Sequence, residues 1–193
     1  MCSQTQMTFN FPNVCTLFLL VLFYFIKFSD GKVFSDQHPL SISRTRVEKM
    51  THLHFFFQDI VSGKRPTAIQ IATPNRAYGT GFGDMMMADD PLTAEVDRKS
   101  EIIGQAQGIY GLASQNEVAL LMVINYLFTK GKYNGSSIAI VGRNPPMQDI
   151  REMPIVGGTG LFRFARGYAL AHTVWSNSQG DATVEYHVYV YHF

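Results

Sequence analysis

The sequence predicts an all-β fold, a closed antiparallel barrel of eight strands, and three observations predict it. From Thr51 onward the chain is a succession of short apolar stretches separated by Gly, Pro, Asn and Asp turns, which is the pattern of many short strands. In "HLHFFFQDIV" the alternate residues Leu53, Phe55, Phe57 and Asp59 share one face, so an apolar row ends in a carboxylate. About eight such stretches occur, enough to close a small up-and-down barrel whose interior holds side chains and one small ligand.

The strand candidates follow in order: "HLHFFFQDIV", "TAIQIAT", "GFGDMMMADDPLT", "EIIGQAQGIYGLAS", "VALLMVINYLFT", "SSIAIVGRNP", "GLFRFARGYALAHTVW" and "ATVEYHVYVYHF". By periodicity alone "VALLMVINYLF" also fits a buried helix. Its Val, Ile, Tyr and Phe content and the "TKGKYNGSS" turn after it make it a strand. On a continuous "GLFRFARGYAL" strand, Phe162, Phe164, Tyr168 and Leu170 share a face opposite Leu161, Arg163, Ala165 and Gly167. With 46% hydrophobic and 16% charged residues, the 193-residue chain has ample material for one packed core.

The amino-terminal segment reads differently. Val14 to Ile26 is an uninterrupted apolar run followed by Lys27, shorter than the roughly twenty residues of a spanning helix, so residues 1–31 are expected to be a signal peptide. Small residues place the cleavage between 29 and 35, and residues 32–49 form a polar leader into a barrel domain at 50–193. Both cysteines, Cys2 and Cys15, fall within the signal segment, so the mature chain is expected to have no disulfide, no catalytic thiol and no zinc–thiolate site. If secreted, the chain offers Asn134 in "NGSS" as a glycosylation acceptor, a sequence that also suits a turn.

A formal net charge of +1 and a pI near 7.8 give no electrostatic reason to expect nucleic acid or an anionic membrane as a partner. "GTGFG" and "VGGTG" resemble phosphate loops, but neither lies between a strand and a helix or has a suitably spaced Lys, so both read as turns or strand bends. His52 and His54 share a strand face, yet no third ligand has a matching spacing, so no metal site is expected. There is no nucleophile-elbow sequence. What remains is a set of carboxylates and an arginine beside apolar rows: Asp59, the pair Asp89 and Asp90 closing "MMMADD", and Arg151 after the "GRNPPMQDI" loop. A carboxylate facing an aromatic-lined cavity has a raised pKa and can protonate a phenol or alcohol, and an arginine beside it can orient a ligand oxygen. Asp59 reads equally as such a group or as a turn residue, whereas Asp90, preceding Pro91, reads as a turn.

Taken in order, "HFFFQDI", "FGDMMMADDPLT", "AQGIYGLASQ", "FTKGKYNGSSIAIVGRNP", "REMPIVGGTGLFRFARGYALA" and "GDATVEYHVYV" resemble the plant dirigent proteins from about Met50 to the C-terminus. The resemblance implies an allene-oxide-cyclase-like eight-stranded barrel, a homotrimer, secretion to the apoplast and glycosylation, with no cofactor. It implies that phenoxy radicals, made from coniferyl alcohol by an external laccase or peroxidase, couple stereoselectively in the pocket to give lignans. It carries Asp59 over as the pocket carboxylate, Arg151 as the pocket arginine and Tyr110 as an aromatic lining position. Phe57, Asp89 and Asn144 are further ligand-contacting candidates. Two positions depart: Asn144 stands where lignan-forming members have an aspartate, and Gln105 where many relatives have an arginine. The departure at Asn144 admits two alternatives, a pterocarpan-synthase-like dehydratase acting on an isoflavanol, and a barrel that only binds a phenolic.

Overall fold

The computed structural model describes residues 47–75 and 79–193. The expected signal peptide, both cysteines and most of the expected leader lie outside the described residues. Among the described residues nine strands follow in order: β1 (Lys49–Asp59), β2 (Ala68–Ala72), β3 (Met85–Thr93), β4 (Ile102–Leu112), β5 (Leu120–Phe128), β6 (Ser137–Asn144), β7 (Ile150–Thr159), β8 (Arg166–Ser176) and β9 (Ala182–His192). Single 3₁₀ turns lie at Gly131–Tyr133 and Gly160–Phe162.

All pairings are antiparallel, in the order β1-β9-β8-β7-β6-β5-β4-β3-β2, with β1 also pairing β3. That second pairing closes an eight-stranded barrel. It is short: Phe56 opposes Thr93 and Phe57 opposes Leu92, while β2 takes the earlier part of the same β3 edge from Ala68 against Ala88 to Ala72 against Met85. Beside the first half of β1, which pairs with β9 but not with β3, a concavity of about 450 Å³ indents the wall between Leu53 and Phe128.

The strands alternate as a barrel requires. In β9, Val184, Tyr186, Val188 and Val190 are buried while Glu185, His187 and Tyr189 between them are partly exposed. Phe55, Tyr126 and Tyr186 meet in the centre with ring centroids 5.2 to 5.7 Å apart. Three rings of that size leave room only for small neighbours, which Ala106, Ala169 and Ala171 supply, all fully buried. At one end Phe162 lies under Phe128, Tyr133 and His192, at 5.9, 4.7 and 5.1 Å, and forms a floor.

Two expectations are corrected. The predicted strand through "GLFRFARGYALAHTVW" is broken, because the chain reverses in the 3₁₀ turn Gly160–Phe162 and at Phe164, whose φ is 63°. A Cβ on Gly160, at φ +60°, would lie 2.6 Å from Ser136 Oγ, so this reversal needs glycine. Phe162 therefore becomes the floor, Phe164 is exposed, and Tyr168 stacks on Tyr189 outside the barrel, 5.0 Å between centroids. The second correction is β7, which the sequence predicts as a loop and turn. Arg151, Met153 and Ile155 are buried there and Glu152, Pro154 and Val156 exposed, a full strand alternation. Pro154 lies beyond Ile155, the last residue at which β7 pairs with β6, so its missing N–H leaves no gap in that ladder.

Candidate active site

The end opposite the floor is an open mouth of about 340 Å³. The C-terminal ends of β1, β4 and β6 and the N-terminal ends of β7 and β9 converge there. They bring Asp59, Tyr110, Asn144, Arg151 and Phe57 to one cavity, with Met122, Thr173, Val184 and Tyr186 completing its wall. Concavities of about 420 and 450 Å³ elsewhere on the surface have no guanidinium in their lining.

Asp59 is the last residue of β1, on the same face as Phe55 and Phe57, because side chains two apart along a strand point alike. Its Oδ2 accepts the Tyr110 hydroxyl hydrogen at 2.9 Å. Its Oδ1 is buried and has no partner among the described residues. Burial raises the Asp59 pKa to about 6; the Tyr110 hydrogen bond and the charge of Arg98 oppose that rise, and the negative charge of Asp181 adds to it. Tyr110, buried and facing a carboxylate, is held well above its ordinary value and remains a hydrogen-bond donor. With Oδ2 occupied by Tyr110, Oδ1 is the oxygen left free to carry the Asp59 proton.

Arg151 enters from β7 and is 2% exposed. Its Nε donates to Asn144 Oδ1 at 3.0 Å, Nη1 to the Gln148 and Asp149 carbonyls at 3.4 and 3.3 Å, and Nη2 to Thr173 Oγ1 at 2.9 Å. Burial pulls its pKa down from the ordinary value, but a guanidinium remains charged. Nη2 makes no second hydrogen bond among the described residues, so a rigidly held cation in the cavity lining keeps one N–H free.

Asp89 does not reach the pocket. It points outward from β3 and accepts from Gln107 Nε2 at 3.0 Å, because the residue that points inward is its neighbour. Asp90, expected in a turn, lies within β3 and is fully buried, and neither oxygen has a partner at full hydrogen-bond geometry among the described residues. Burial, with the nearby Asp59 charge, pushes it up to about 8, so it is a neutral acid at pH 7. Gln105 lies on the partly exposed face of β4, opposite Pro91, so the departure there leaves the pocket unaltered. Asn134 is exposed at the turn after Gly131–Tyr133, near the floor and away from the mouth. Thr173, Val184 and Tyr186 had no sequence signal beyond the strand period; only the register of β8 and β9 makes them wall residues.

A barrel with one polar mouth, a paired carboxyl and phenol and a fixed guanidinium can hold a phenolic ligand and move a proton on it. Residues 50–191 match the family model described as "Dirigent-like protein". The chain belongs to the dirigent family. It is 48% identical over 167 residues to "Dirigent protein 21" of Arabidopsis thaliana, covering 85% of this chain and 88% of that one. It is 49% identical over 152 residues to "Pterocarpan synthase 1" of Glycine max, covering 77% and 82% of the two chains. Among solved structures, the pterocarpan synthase dirigent protein GePTS1 superimposes with a TM-score of 0.73 at 46% identity, over 78% of this chain and 88% of that one. The allene-oxide-cyclase-like barrel expected from the dirigent resemblance is thus an eight-stranded dirigent barrel with β2 laid on its closing edge.

Proposed function

We propose that this dirigent barrel binds a phenolic alcohol of the isoflavanol class and assists loss of its hydroxyl through a quinone methide. The observation that supports this most directly is the Asp59 carboxyl, buried at the mouth with Oδ2 held by Tyr110 and Oδ1 free. The substrate carbon–oxygen bond breaks, and the hydroxyl leaves as water with the Asp59 proton. The conjugated phenol of the substrate gives up its own proton, which returns Asp59 to its acid form. A second phenol then closes on the methide carbon, and its proton passes to the quinone oxygen. The free Nη2–H of Arg151 steadies the developing phenolate. General-acid assistance of this kind contributes about 10²–10⁴-fold.

A second reading is supported by the largely apolar wall, with Phe57, Met122, Val184 and Tyr186 around the polar groups. The pocket then orients phenoxy radicals of a monolignol such as coniferyl alcohol, made by an external laccase or peroxidase, so that coupling gives an optically active lignan. In free-energy terms about 1.4 kcal/mol of discrimination suffices for a tenfold preference. Export to the apoplast, glycosylation at the exposed Asn134 and assembly as a homotrimer belong to the same proposal under either reading.

Chiral chromatography of two parallel reactions tests it: an isoflavanol with no oxidase, and coniferyl alcohol with a one-electron oxidase. Oxidase-independent turnover of the isoflavanol is the expected result. Enantiomeric excess in the oxidase reaction alone replaces the dehydratase with the stereochemical guide, and silence in both leaves a phenolic-binding barrel.

A further inference from the structure

The register of β1 on β9 supplies a constellation that the sequence spacing conceals. His54 lies directly opposite His187, and Glu185 is two residues from His187 on the same outer face. Glu185 Oε1 is 2.7 Å from His54 Nε2 and 3.7 Å from His187 Nε2. One ligand atom from each of the three side chains lies within 4.8 Å of the others. The side chains are 40%, 26% and 39% exposed, so the cluster is open to solution and to an entering ion.

We propose that His54, Glu185 and His187 form a surface site for a borderline divalent transition-metal ion, with Zn²⁺ as its reference ligand. Two imidazoles and a carboxylate are a donor set that Zn²⁺ accepts, leaving a fourth position to water. Bond lengths near 2.0–2.1 Å in a tetrahedral shell put ligand atoms about 3.3 Å apart, between the two separations measured here. The ion takes the place of the hydrogen bond between His54 Nε2 and Glu185 Oε1, and ligating imidazoles must be free of a proton at the metal-bound nitrogen. Binding therefore releases protons and weakens in acid.

His52 completes the arrangement as a positioning residue. Its Nε2 lies 3.0 Å from His187 Nδ1, and its ring stacks on Tyr189 with centroids 4.6 Å apart. When His52 accepts the Nδ1–H of His187, Nε2 of His187 keeps its lone pair and faces Glu185, the second-shell hydrogen bond that ligating histidines generally make. An ion held by all three ligands joins β1 to β9 and so stabilises the folded barrel.

Titration calorimetry of the purified untagged protein with Zn²⁺ at pH 7.5 and pH 5, alongside its thermal midpoint with and without the ion, tests the site. The expected result is one saturable Zn²⁺ per chain at pH 7.5, weaker binding at pH 5, a raised midpoint and no response to Mg²⁺. The exposed variants His54→Ala and His187→Ala keep the apo midpoint and lose binding about tenfold or more, together with the Zn²⁺-induced rise. His52→Ala weakens binding by about tenfold, and His52→Gln, whose carbonyl oxygen can still accept the Nδ1–H, restores it. No saturable binding at pH 7.5 overturns the proposal. So does binding that survives both His54→Ala and His187→Ala but fails in His172→Ala, since His172 pairs separately with Asp149 at 2.9 Å.

Discussion

Asn144 accepts the Nε–H of Arg151 at 3.0 Å, joining the last residue of β6 to the second residue of β7 across the "PPMQD" connection. A neutral acceptor in this position leaves the guanidinium without a charged hydrogen-bond partner at the mouth. Asn144→Asp keeps the shape and converts the contact into a charge-assisted pair. In the oxidase reaction with coniferyl alcohol, the variant is expected to give a higher enantiomeric excess than the parent, measured by chiral chromatography. An unaltered product ratio removes Asn144 as the deciding difference from lignan-forming relatives.

Asp59 acts as an acid only while protonated. With its pKa of about 6, the proposed dehydration is expected to fall tenfold for each pH unit above 6, and Asp59→Asn is expected to cost about 10²-fold or more with the fold intact. The Tyr110 hydrogen bond holds that pKa down, so Tyr110→Phe moves the falling limb of the pH–rate profile to higher pH. A limb that stays in place in Tyr110→Phe assigns it to another group.

Asp90 couples stability to pH. Its folded pKa of about 8 lies above its ordinary 3.8, so the folded state binds the extra proton and stability is fullest below pH 4, declining as pH rises toward 8. Asp59 adds a decline that ends near pH 6. Asp90→Asn therefore keeps only Asp59's share of the loss between pH 4 and 6 and abolishes the loss between 6 and 8. Denaturant midpoints at four or five pH values separate the two segments, and a parent protein with no decline between pH 6 and 8 contradicts the assignment.

The floor and the turn beside it respond oppositely to truncation. Phe162, fully buried among three aromatic groups, is expected to cost about 3–5 kcal/mol as Phe162→Ala. Phe164 is 75% exposed at a φ of 63°, and Phe164→Gly leaves stability unchanged or raises it by up to about 1 kcal/mol. Urea unfolding measures both changes.

The barrel and most of its mouth were legible because both depend on the two-residue strand period. The apolar row of β1 points at Asp59 from the sequence alone. The dirigent resemblance then adds Tyr110 and Arg151, and the register brings all three together. Arg151 was identified with the wrong backbone, since Pro154 and the glycines of "VGGTG" hide a strand whose proline sits past the end of its β6 ladder. Asp90 was concealed by Pro91, which reads as turn chemistry yet lies within β3 opposite Gln105. Asp89 and Asp90 are adjacent and chemically identical, and only the phase of β3 decides which one is buried. The His54–Glu185–His187 cluster joins residues more than 130 positions apart, a separation no local spacing rule spans.

The junction of β1 with β3 gives the barrel a hoop's mechanics. Every other seam runs over four or more opposed residue pairs, whereas this clasp has only Phe56 with Thr93 and Phe57 with Leu92. Springing a hoop takes only the release of its clasp. The first cooperative opening of the native protein is expected to start there, admitting solvent beside Phe57 and Asp90 while the remaining seams stay zipped.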